Sequence, residues 1–336
     1  MSFSMLRLAV LSVLLTSNIN TVCAETDISS SIQPLAVHSL VLDSTLKADT
    51  AVAVGERGHL FIFDDNWLQR PSPTQAHLTK VYLLDGKLGW AVGHDATVLH
   101  TQDGGLSWQV QMSSPEIEKP LMDVLFFDEL NGIAIGAYGM FYRSKDGGNA
   151  WEPEFHAELL FEEDIAYLED LKAEDEALYL SERSTLLPHF NRVVQLDDSR
   201  LLMVGELGLA AVSEDKGISW QRLDFPYDGS LFNALVTSKG VYVMGLRGHL
   251  FKSEDGANSW QEIALPIQST LNGGLIVDDN KIRLVGNAGV IIDVYHDGSV
   301  AMVAQRQGEN LVTISRDTHG KQWVAGTKGF IELKQE

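Results

Sequence analysis

The sequence predicts an all-β protein, a seven-bladed β-propeller, on the strength of three observations. A hairpin pattern with glycines at its tip recurs seven times, its spacing is close to 40 residues, and a second turn motif follows four of the hairpins. A fixed period of 20–50 residues indicates a repeat architecture, and four short strands in about 40 residues fit one propeller blade.

Each hairpin repeat consists of an apolar strand, a Gly-x-x-Gly tip and a returning strand. β-Branched and other apolar residues favour strands, as in Ile133 and Ile135 before one tip. Glycine tolerates the positive φ that we expect in a tight tip. The seven tips are residues 55–58, 93–96, 136–139, 205–208, 245–248, 286–289 and 326–329, with Ala96 replacing one glycine. Their first glycines lie 38, 43, 69, 40, 41 and 40 residues apart, so one interval contains an insert.

The second turn motif reads Thr/Ser-x-Asp-x-Gly-x-x-Trp in its commonest form and occupies residues 101–108, 144–151, 213–220 and 253–260. An aspartate can accept hydrogen bonds from the backbone of its own turn, and a tryptophan offers a large area to bury at the start of the next strand. We therefore interpret the following residues as structural rather than catalytic: Asp103, Trp108, Asp146, Trp151, Asp215, Trp220, Asp255 and Trp260.

The chain begins with a pattern typical of a secretory signal peptide over residues 1–24. Arg7 precedes an apolar stretch at residues 8–15 that is too short to span a bilayer, and the segment ends at Ala24. The alternatives are a buried N-terminal element or a lipid anchor on Cys23. Cleavage near Ala24 would leave an exported, periplasmic protein without cysteine.

We expect residues 25–336 to form one propeller, with two separate β domains as the alternative. The last hairpin is followed by too few residues for a fourth strand. We therefore predict that an N-terminal strand at residues 31–38 completes the last blade and closes the ring.

The long interval holds an acidic insert, residues 152–191, between blades 3 and 4. Residues 152–182 contain twelve carboxylates and one lysine, and Phe161, Ile165, Leu168 and Leu171 recur at helical spacing. We predict one or two amphipathic helices on the same face as the hairpin tips. Two interpretations stay open: a solvated helix that packs on the propeller, or an acidic arm that binds a partner.

The charge and the residue pattern exclude several functions. The chain has 46 acidic and 25 basic residues, a net charge of −21, which disfavours nucleic-acid binding. We find no metal-ligand spacing, phosphate loop or nucleophile motif, so we expect no enzyme, cofactor or metal. A glycan-binding or sialidase-like glycosidase propeller is the alternative, but the sequence singles out no pair of catalytic carboxylates and no arginine cluster.

Exposed loops on a rigid scaffold usually carry binding, so the tips form the predicted partner-binding surface. Arg57 and Arg247 are its predicted anchors, because arginine is enriched at interfaces. The full set is Glu56, Arg57, His94, Asp95, Tyr138, Glu206, Arg247, Asn287 and Lys328.

The turn motif resembles the Asp box, or bacterial neuraminidase repeat (BNR). Together with the signal peptide and the seven hairpins, it makes the chain similar to the photosystem II stability/assembly factor family, in the form expected of bacteria without photosystems. The resemblance implies a non-enzymatic scaffold that assists a membrane complex. It leads us to expect a protein partner from such a complex. Because the sequence has no later run of about 18 apolar residues, we also expect no transmembrane span in the mature chain. We expect the protein to be a monomer. The acidic insert and the sparse arginines depart from the photosynthetic pattern.

Overall fold

The computed structural model describes residues 30–334, in which the strands form seven antiparallel sheets. Six sheets have four strands, one has three, and the strand order in every sheet follows the chain. The prediction of a seven-bladed β-propeller with a helical insert after blade 3 is confirmed. The predicted signal peptide lies outside the described residues.

The blades take up the strands in sequence. Blade 1 comprises β1 (Val41–Lys47), β2 (Thr50–Gly55), β3 (Leu60–Asp64) and β4 (Asn66–Arg70). Blade 2 comprises β5 (Leu78–Leu83), β6 (Gly89–Gly93), β7 (Thr97–Thr101) and β8 (Gln109–Met112). Blade 3 comprises β9 (Leu121–Phe126), β10 (Gly132–Gly136), β11 (Phe141–Ser144) and β12 (Glu152–Glu154). Blade 4 comprises β13 (Phe190–Gln195), β14 (Leu201–Gly205), β15 (Ala210–Ser213) and β16 (Gln221–Arg222). Blade 5 comprises β17 (Leu231–Thr237), β18 (Gly240–Gly245), β19 (Leu250–Ser253) and β20 (Gln261–Glu262). Blade 6 comprises β21 (Leu271–Asp278), β22 (Lys281–Gly286), β23 (Val290–Tyr295) and β24 (Val300–Gln305), and blade 7 comprises β25 (Leu311–Arg316), β26 (Gln322–Gly326) and β27 (Gly329–Glu332).

The first strand of each blade lies at the centre of the ring, where it packs against the first strands of both neighbouring blades. The pairing of each first strand with its second strand is interrupted near the tip by a β-bulge, which redirects side chains locally. The bulged residues, all of which line the central cavity, are Leu42, Thr79, Met122, Asn191, Phe232, Asn272 and Val312.

The first glycine of each tip is required by a close backbone approach. At Gly245 the backbone is extended, with φ −163°, and a Cβ would lie 2.1 Å from the carbonyl oxygen of Ser230. The next residue, Leu246, donates its backbone N–H to that same oxygen at 2.9 Å. Positive φ falls instead on the last two tip residues, at 57° for Arg247 and 79° for Gly248. The expectation that both glycines supply positive φ is therefore wrong for the first one.

The same hydrogen bond occurs at all seven tips. The donors Glu56, His94, Ala137, Glu206, Leu246, Asn287 and Thr327 bond to the carbonyl oxygens of Leu40, His77, Pro120, His189, Ser230, Thr270 and Asn310, respectively. Each acceptor directly precedes the first strand of its blade.

The four turns of the Thr/Ser-x-Asp motif are held together by their aspartates at the opposite ends of the strands. Asp215 accepts hydrogen bonds from the Ser213 hydroxyl at 2.8 Å and from the Ser219 backbone at 2.9 Å, and its other oxygen accepts from the Ser219 hydroxyl at 2.6 Å. Bonds from the Ser259 hydroxyl and backbone lower the pKa of Asp255 to about 2. The oxygens of these carboxylates therefore accept hydrogen bonds within their own turns.

The ring closes differently from the prediction. Residues 31–38 form no strand: Ala36–His38 is a 3₁₀ turn, and Ser30 makes an isolated bridge to Ser72. Gln33 instead hydrogen-bonds along the outer strand of blade 1, through its backbone N–H to Gln69 Oε1 at 2.6 Å. Blade 7 thus has three strands within residues 30–334.

Side-chain packing joins blade 1 to blade 7. The rings of Trp67 and Phe330 stack with centroids 4.3 Å apart, and Phe63 lies 5.8 Å from the Trp323 ring. Nearer the axis, the Ser44 and Thr313 hydroxyls are 3.2 Å apart. Aromatic packing between blades 1 and 7 therefore closes the ring in place of the predicted N-terminal strand.

The insert is shorter than predicted and is anchored in the propeller core. Glu152–Glu154 belongs to blade 3, and residues 190–191 begin β13, so the insert spans residues 155–189. It contains a 3₁₀ turn and the helices α1 (Glu162–Glu174) and α2 (Glu176–Leu186). Four of its buried leucines pack into the core shared by blades 3 and 4; they are Leu159, Leu160, Leu168 and Leu187.

The close approach at the tips predicts that Gly245→Ala destabilises the fold by about 3 kcal/mol or more, because its methyl group would overlap a carbonyl oxygen fixed by the adjacent strand. Urea unfolding of the variant measures this. Gly86→Ala is the control, since its Cβ would meet only ordinary contacts at 3.5 Å, and should change stability by less than about 0.5 kcal/mol. Equal losses for the two variants would contradict the interpretation.

The lowered pKa of Asp255 predicts a specific acid sensitivity. Its stabilising contribution is complete above the ordinary aspartate pKa of 3.8 and is lost as the pH falls towards about 2, because the unfolded chain binds the proton first. Ser259→Ala should lower the melting temperature at about pH 6, and this difference from the wild type should shrink towards about pH 2. Ser238→Ala, in the exposed turn after β17, should show no such trend. A pH-independent difference for Ser259→Ala would refute the assignment.

The anchoring of the insert predicts that Leu168→Ala costs about 3 kcal/mol, since this side chain is 4% exposed in the blade 3–4 core. Leu178→Ala on α2, where the side chain is 43% exposed, should cost less than about 1 kcal/mol. Chemical unfolding gives the energies, and amide hydrogen exchange in α1 reports local opening. An insert that does not contribute to the core would give two small and similar effects.

Candidate partner-binding surface

The seven tips and the blade-to-blade linkers lie at one end of the strands, and we name this end the tip face. Arg57, Tyr138 and Arg247 occupy its second tip position, where φ is between 54° and 57°. All three side chains are exposed, and Tyr138 retains 42% of its accessible surface. The structure thus places these three predicted residues at equivalent, outward positions on blades 1, 3 and 5.

The predicted residues at the first tip position serve the scaffold instead. Glu56 accepts a hydrogen bond from the backbone N–H of Leu40 at 3.2 Å, and Asn287 Oδ1 accepts one from the Asn272 amide at 2.9 Å. Glu206 lies 3.4 Å from His189. These three residues are half-buried, whereas His94 at the same tip position of blade 2 is exposed.

The remaining predicted residues belong to the tips of blades 2 and 7. His94 is exposed, and its ring lies 5.4 Å from that of His77. Asp95 has φ 58°, and Lys328 is 3.7 Å from Glu309. The nine predicted residues therefore spread around the ring rather than converge at one point.

The tip face is divided into two chemical halves. Blades 1, 5 and 7 present the cations Arg57, Arg247 and Lys328, whereas blades 3 and 4 present Tyr138 and Leu207. Leu207 is 62% exposed and has φ 52°. Leu207 was not among the predicted site residues, because a leucine beside a strand suggests a core position. Leu207 occupies the same position in the tip motif as Arg57 and Arg247, and this equivalence could have identified it from the sequence.

The insert extends the apolar half. Phe161, directly before α1, is 46% exposed, and the Arg222 guanidinium lies 4.1 Å from its ring centroid. Arg222 also donates to the carbonyl oxygen of Leu159 at 3.2 Å, which ties the insert to blade 4. Tyr138, Leu207 and Phe161 form what we name the apolar patch.

Tyr138 is held in place from both sides. The ring of His189 packs edge-on against it at 4.5 Å, and the Lys119 ammonium lies 5.1 Å from its centroid. Lys119 in turn donates to the carbonyl oxygen of Ser184 in α2 at 2.8 Å. The acidic insert therefore stands beside this tip, on the predicted face.

A cavity of about 750 Å³ occupies the propeller axis and reaches the tip face at Asn287 and Thr327. Its lining includes one carboxylate, Asp43, whereas glycoside hydrolysis ordinarily requires a pair. Burial raises the pKa of Tyr82, which also lines it, to about 12, and this disfavours a tyrosine nucleophile. The arrangement required of a sialidase-like site is not present among the residues that line this cavity.

Between residues 30 and 334 no group of three or more histidine, cysteine, aspartate or glutamate side chains is arranged to hold a metal ion. No helix in that part of the chain combines the length and the apolar character needed to cross a membrane.

No family model and no curated protein matches the chain. Solved structures do match it in fold. The structure of YCF48 bound to D1 peptide is 18% identical with a TM-score of 0.66, covering 92% of this chain and 97% of that one. YCF48 from Cyanidioschyzon merolae is 14% identical with a TM-score of 0.65, covering 90% and 97%. The GH74 enzyme of Niastella koreensis is 12% identical with a TM-score of 0.64, covering 90% of this chain and 53% of that one. At these identities the likeness extends to the propeller fold alone.

Proposed function

We propose that the protein is an exported, non-enzymatic scaffold that binds a protein partner, a subunit of a membrane complex, through the tip face. The observation that carries the proposal is Leu207, an exposed leucine in the left-handed backbone region at the edge of the apolar patch. Bulky side chains disfavour this conformation by about 1–2 kcal/mol, and such strain is concentrated at functional sites.

The apolar patch supplies an anchor for such a partner. Tyr138, Leu207 and Phe161 keep 42%, 62% and 46% of their surfaces exposed on two neighbouring blades and the insert. Exposed apolar clusters on a rigid scaffold are typical of interaction sites, and aromatic residues are frequent energetic centres of interfaces.

The basic half of the tip face adds charge selection. Arg57, Arg247 and Lys328 are exposed on a chain whose net charge is −21. A partner segment that carries apolar residues towards blades 3 and 4 and acidic residues towards blades 1, 5 and 7 would complement both halves. The YCF48 structure that contains D1 peptide supports the general idea that a propeller of this architecture can hold a peptide.

The alternative is a glycan-binding or glycosidase propeller, which the GH74 neighbour favours. The axial cavity does not provide the carboxylate pair of such an enzyme, and the tip cations lie on separate blades. We therefore keep glycan binding as a competing outcome of the tests below.

Export and the insert belong to the same proposal. Residues 1–24 are proposed to direct the chain to the periplasm, and cell fractionation with N-terminal sequencing of the mature protein tests this. Deleting the insert would uncover the blade 3–4 core, so charge neutralisation is the cleaner test of its carboxylates. Exchanging the exposed Glu163, Asp170 and Glu174 for their amides should leave the fold intact and reveal any acidic docking role.

The strain at Leu207 yields a prediction that separates function from structure. Leu207→Asn should raise stability, because asparagine is well tolerated in the left-handed region, and should lower partner recovery about tenfold. Quantitative crosslinking and co-purification from the cell envelope measure recovery, and thermal unfolding measures stability.

Ile218→Asn is the matched control for this experiment. Ile218 is 68% exposed in an Asp-box turn on the opposite face, and the turns of blades 3 and 5 carry Asn149 and Asn258 at the same position. Its recovery should equal that of the wild type. Unchanged recovery with Leu207→Asn would reject the apolar patch, and saturable binding to a glycan array with no protein crosslinks would favour the alternative.

A further inference from the structure

The axial cavity has a charge opposite to that of the whole chain. Three cations, Lys80, Arg192 and Arg316, line it together with one carboxylate, Asp43. They come from the first strands of blades 2, 4 and 7, so they are distributed around the axis rather than clustered on one blade. A basic axial cavity in a protein of net charge −21 concentrates positive potential where an anion can enter.

Two of the cations pair with carboxylates that also accept hydrogen bonds from the backbone. Lys80 lies 3.0 Å from Asp43, which also accepts the backbone N–H of Val81 at 3.1 Å. Arg192 lies 3.1 Å from Asp123, which accepts the backbone N–H of Val193 at 2.8 Å. Each carboxylate therefore joins two neighbouring blades and holds its cation at the cavity wall.

Arg316 has no such carboxylate. Its Nη2 donates to the carbonyl oxygen of Val277 at 2.5 Å, and within residues 30–334 it forms no ion pair. The guanidinium thus keeps its full positive charge and spare donors beside the cavity. A guanidinium presents a planar fork that matches a carboxylate in a bidentate geometry.

The strand positions set the spacing of these cations. Lys80 and Arg192 are both third residues of their first strands, β5 and β13, and so lie at one level near the tip face. Arg316 is the sixth residue of β25, three residues further along the axis, or about 10 Å. A bound anion at Arg316 would therefore lie towards the end of the channel opposite the tips, below the level of the two paired cations.

The other lining residues indicate an organic anion rather than an inorganic ion. Leu42, Met122 and Phe232 contribute apolar surface to the same cavity. A volume of about 750 Å³ is typical of sites for small organic ligands, which combine apolar walls with a few placed polar groups.

We propose that the axial cavity binds a carboxylate attached to an apolar body, with Arg316 as its principal anchor and Lys80 and Arg192 providing additional positive potential. The carboxylate can come from a free organic acid or from an acidic peptide that enters at the tip face. This site is separate from the apolar patch, and it does not depend on the proposed function.

Isothermal titration of the mature protein with hexanoate, adipate and inorganic phosphate tests the site. Arg316→Gln should weaken hexanoate or adipate binding at least tenfold, and Arg316→Lys should restore part of it. Arg192 is not a suitable target, because its loss would leave Asp123, 1% exposed, without its charge partner. Arg247→Gln on the tip face is the matched control and should leave binding unchanged.

The outcomes separate the two carboxylate sources and both proposals. Displacement of adipate by a decapeptide rich in glutamate and aspartate supports the peptide source, whereas adipate binding without displacement supports the free acid. Leu207→Asn should not alter adipate binding, so failure of the tip-face proposal would leave this one standing. The absence of saturable carboxylate binding, an affinity unchanged by Arg316→Gln, or a preference for phosphate would overturn the proposal.

Discussion

The hydrogen bond from each hairpin tip to the carbonyl oxygen before its first strand is the contact on which the rest of the molecule depends. It joins the end of the second strand to the start of the first, seven times around the ring. Because that carbonyl lies about where a Cβ would be, only glycine can occupy the position that opens each tip. The bond also fixes the residue after that glycine, which leaves the following residue, in the left-handed region at six of the seven tips, to face solvent.

The contacts within each blade can be predicted from the sequence, whereas the closure of the ring cannot. Asp215 acts within four residues along its own turn, and Gly245 meets the Ser230 carbonyl within its own blade, so their spacing predicts both the blades and the aspartate-turn contacts. The junction of blades 1 and 7 depends on Trp67 stacking with Phe330, more than 250 residues away in the chain. Apolar residues in a repeat show that a core exists, but their spacing does not show which blade each one meets.

The candidate sites follow the same division. Arg57, Tyr138 and Arg247 were identifiable because their tips repeat, and Leu207 could have been found by the same alignment. The cavity cations Lys80 and Arg192 were not identifiable, because a bulge at the preceding residue shifts the register of each first strand. A one-residue shift exchanges the residues on the two faces of a strand, and no residue type in these strands predicts the bulge.

The distribution of charge connects the tip face with the axial cavity. Acidic side chains are concentrated on α1 and α2 beside Tyr138, whereas cations lie at the tips of blades 1, 5 and 7 and inside the ring. An acidic segment that approaches the tip face is therefore repelled from the insert and attracted towards the opposite blades and the axis. An apolar segment meets no such barrier at Tyr138 and Leu207. We infer that the insert gives the ring one preferred binding orientation, which its nearly sevenfold backbone alone could not provide.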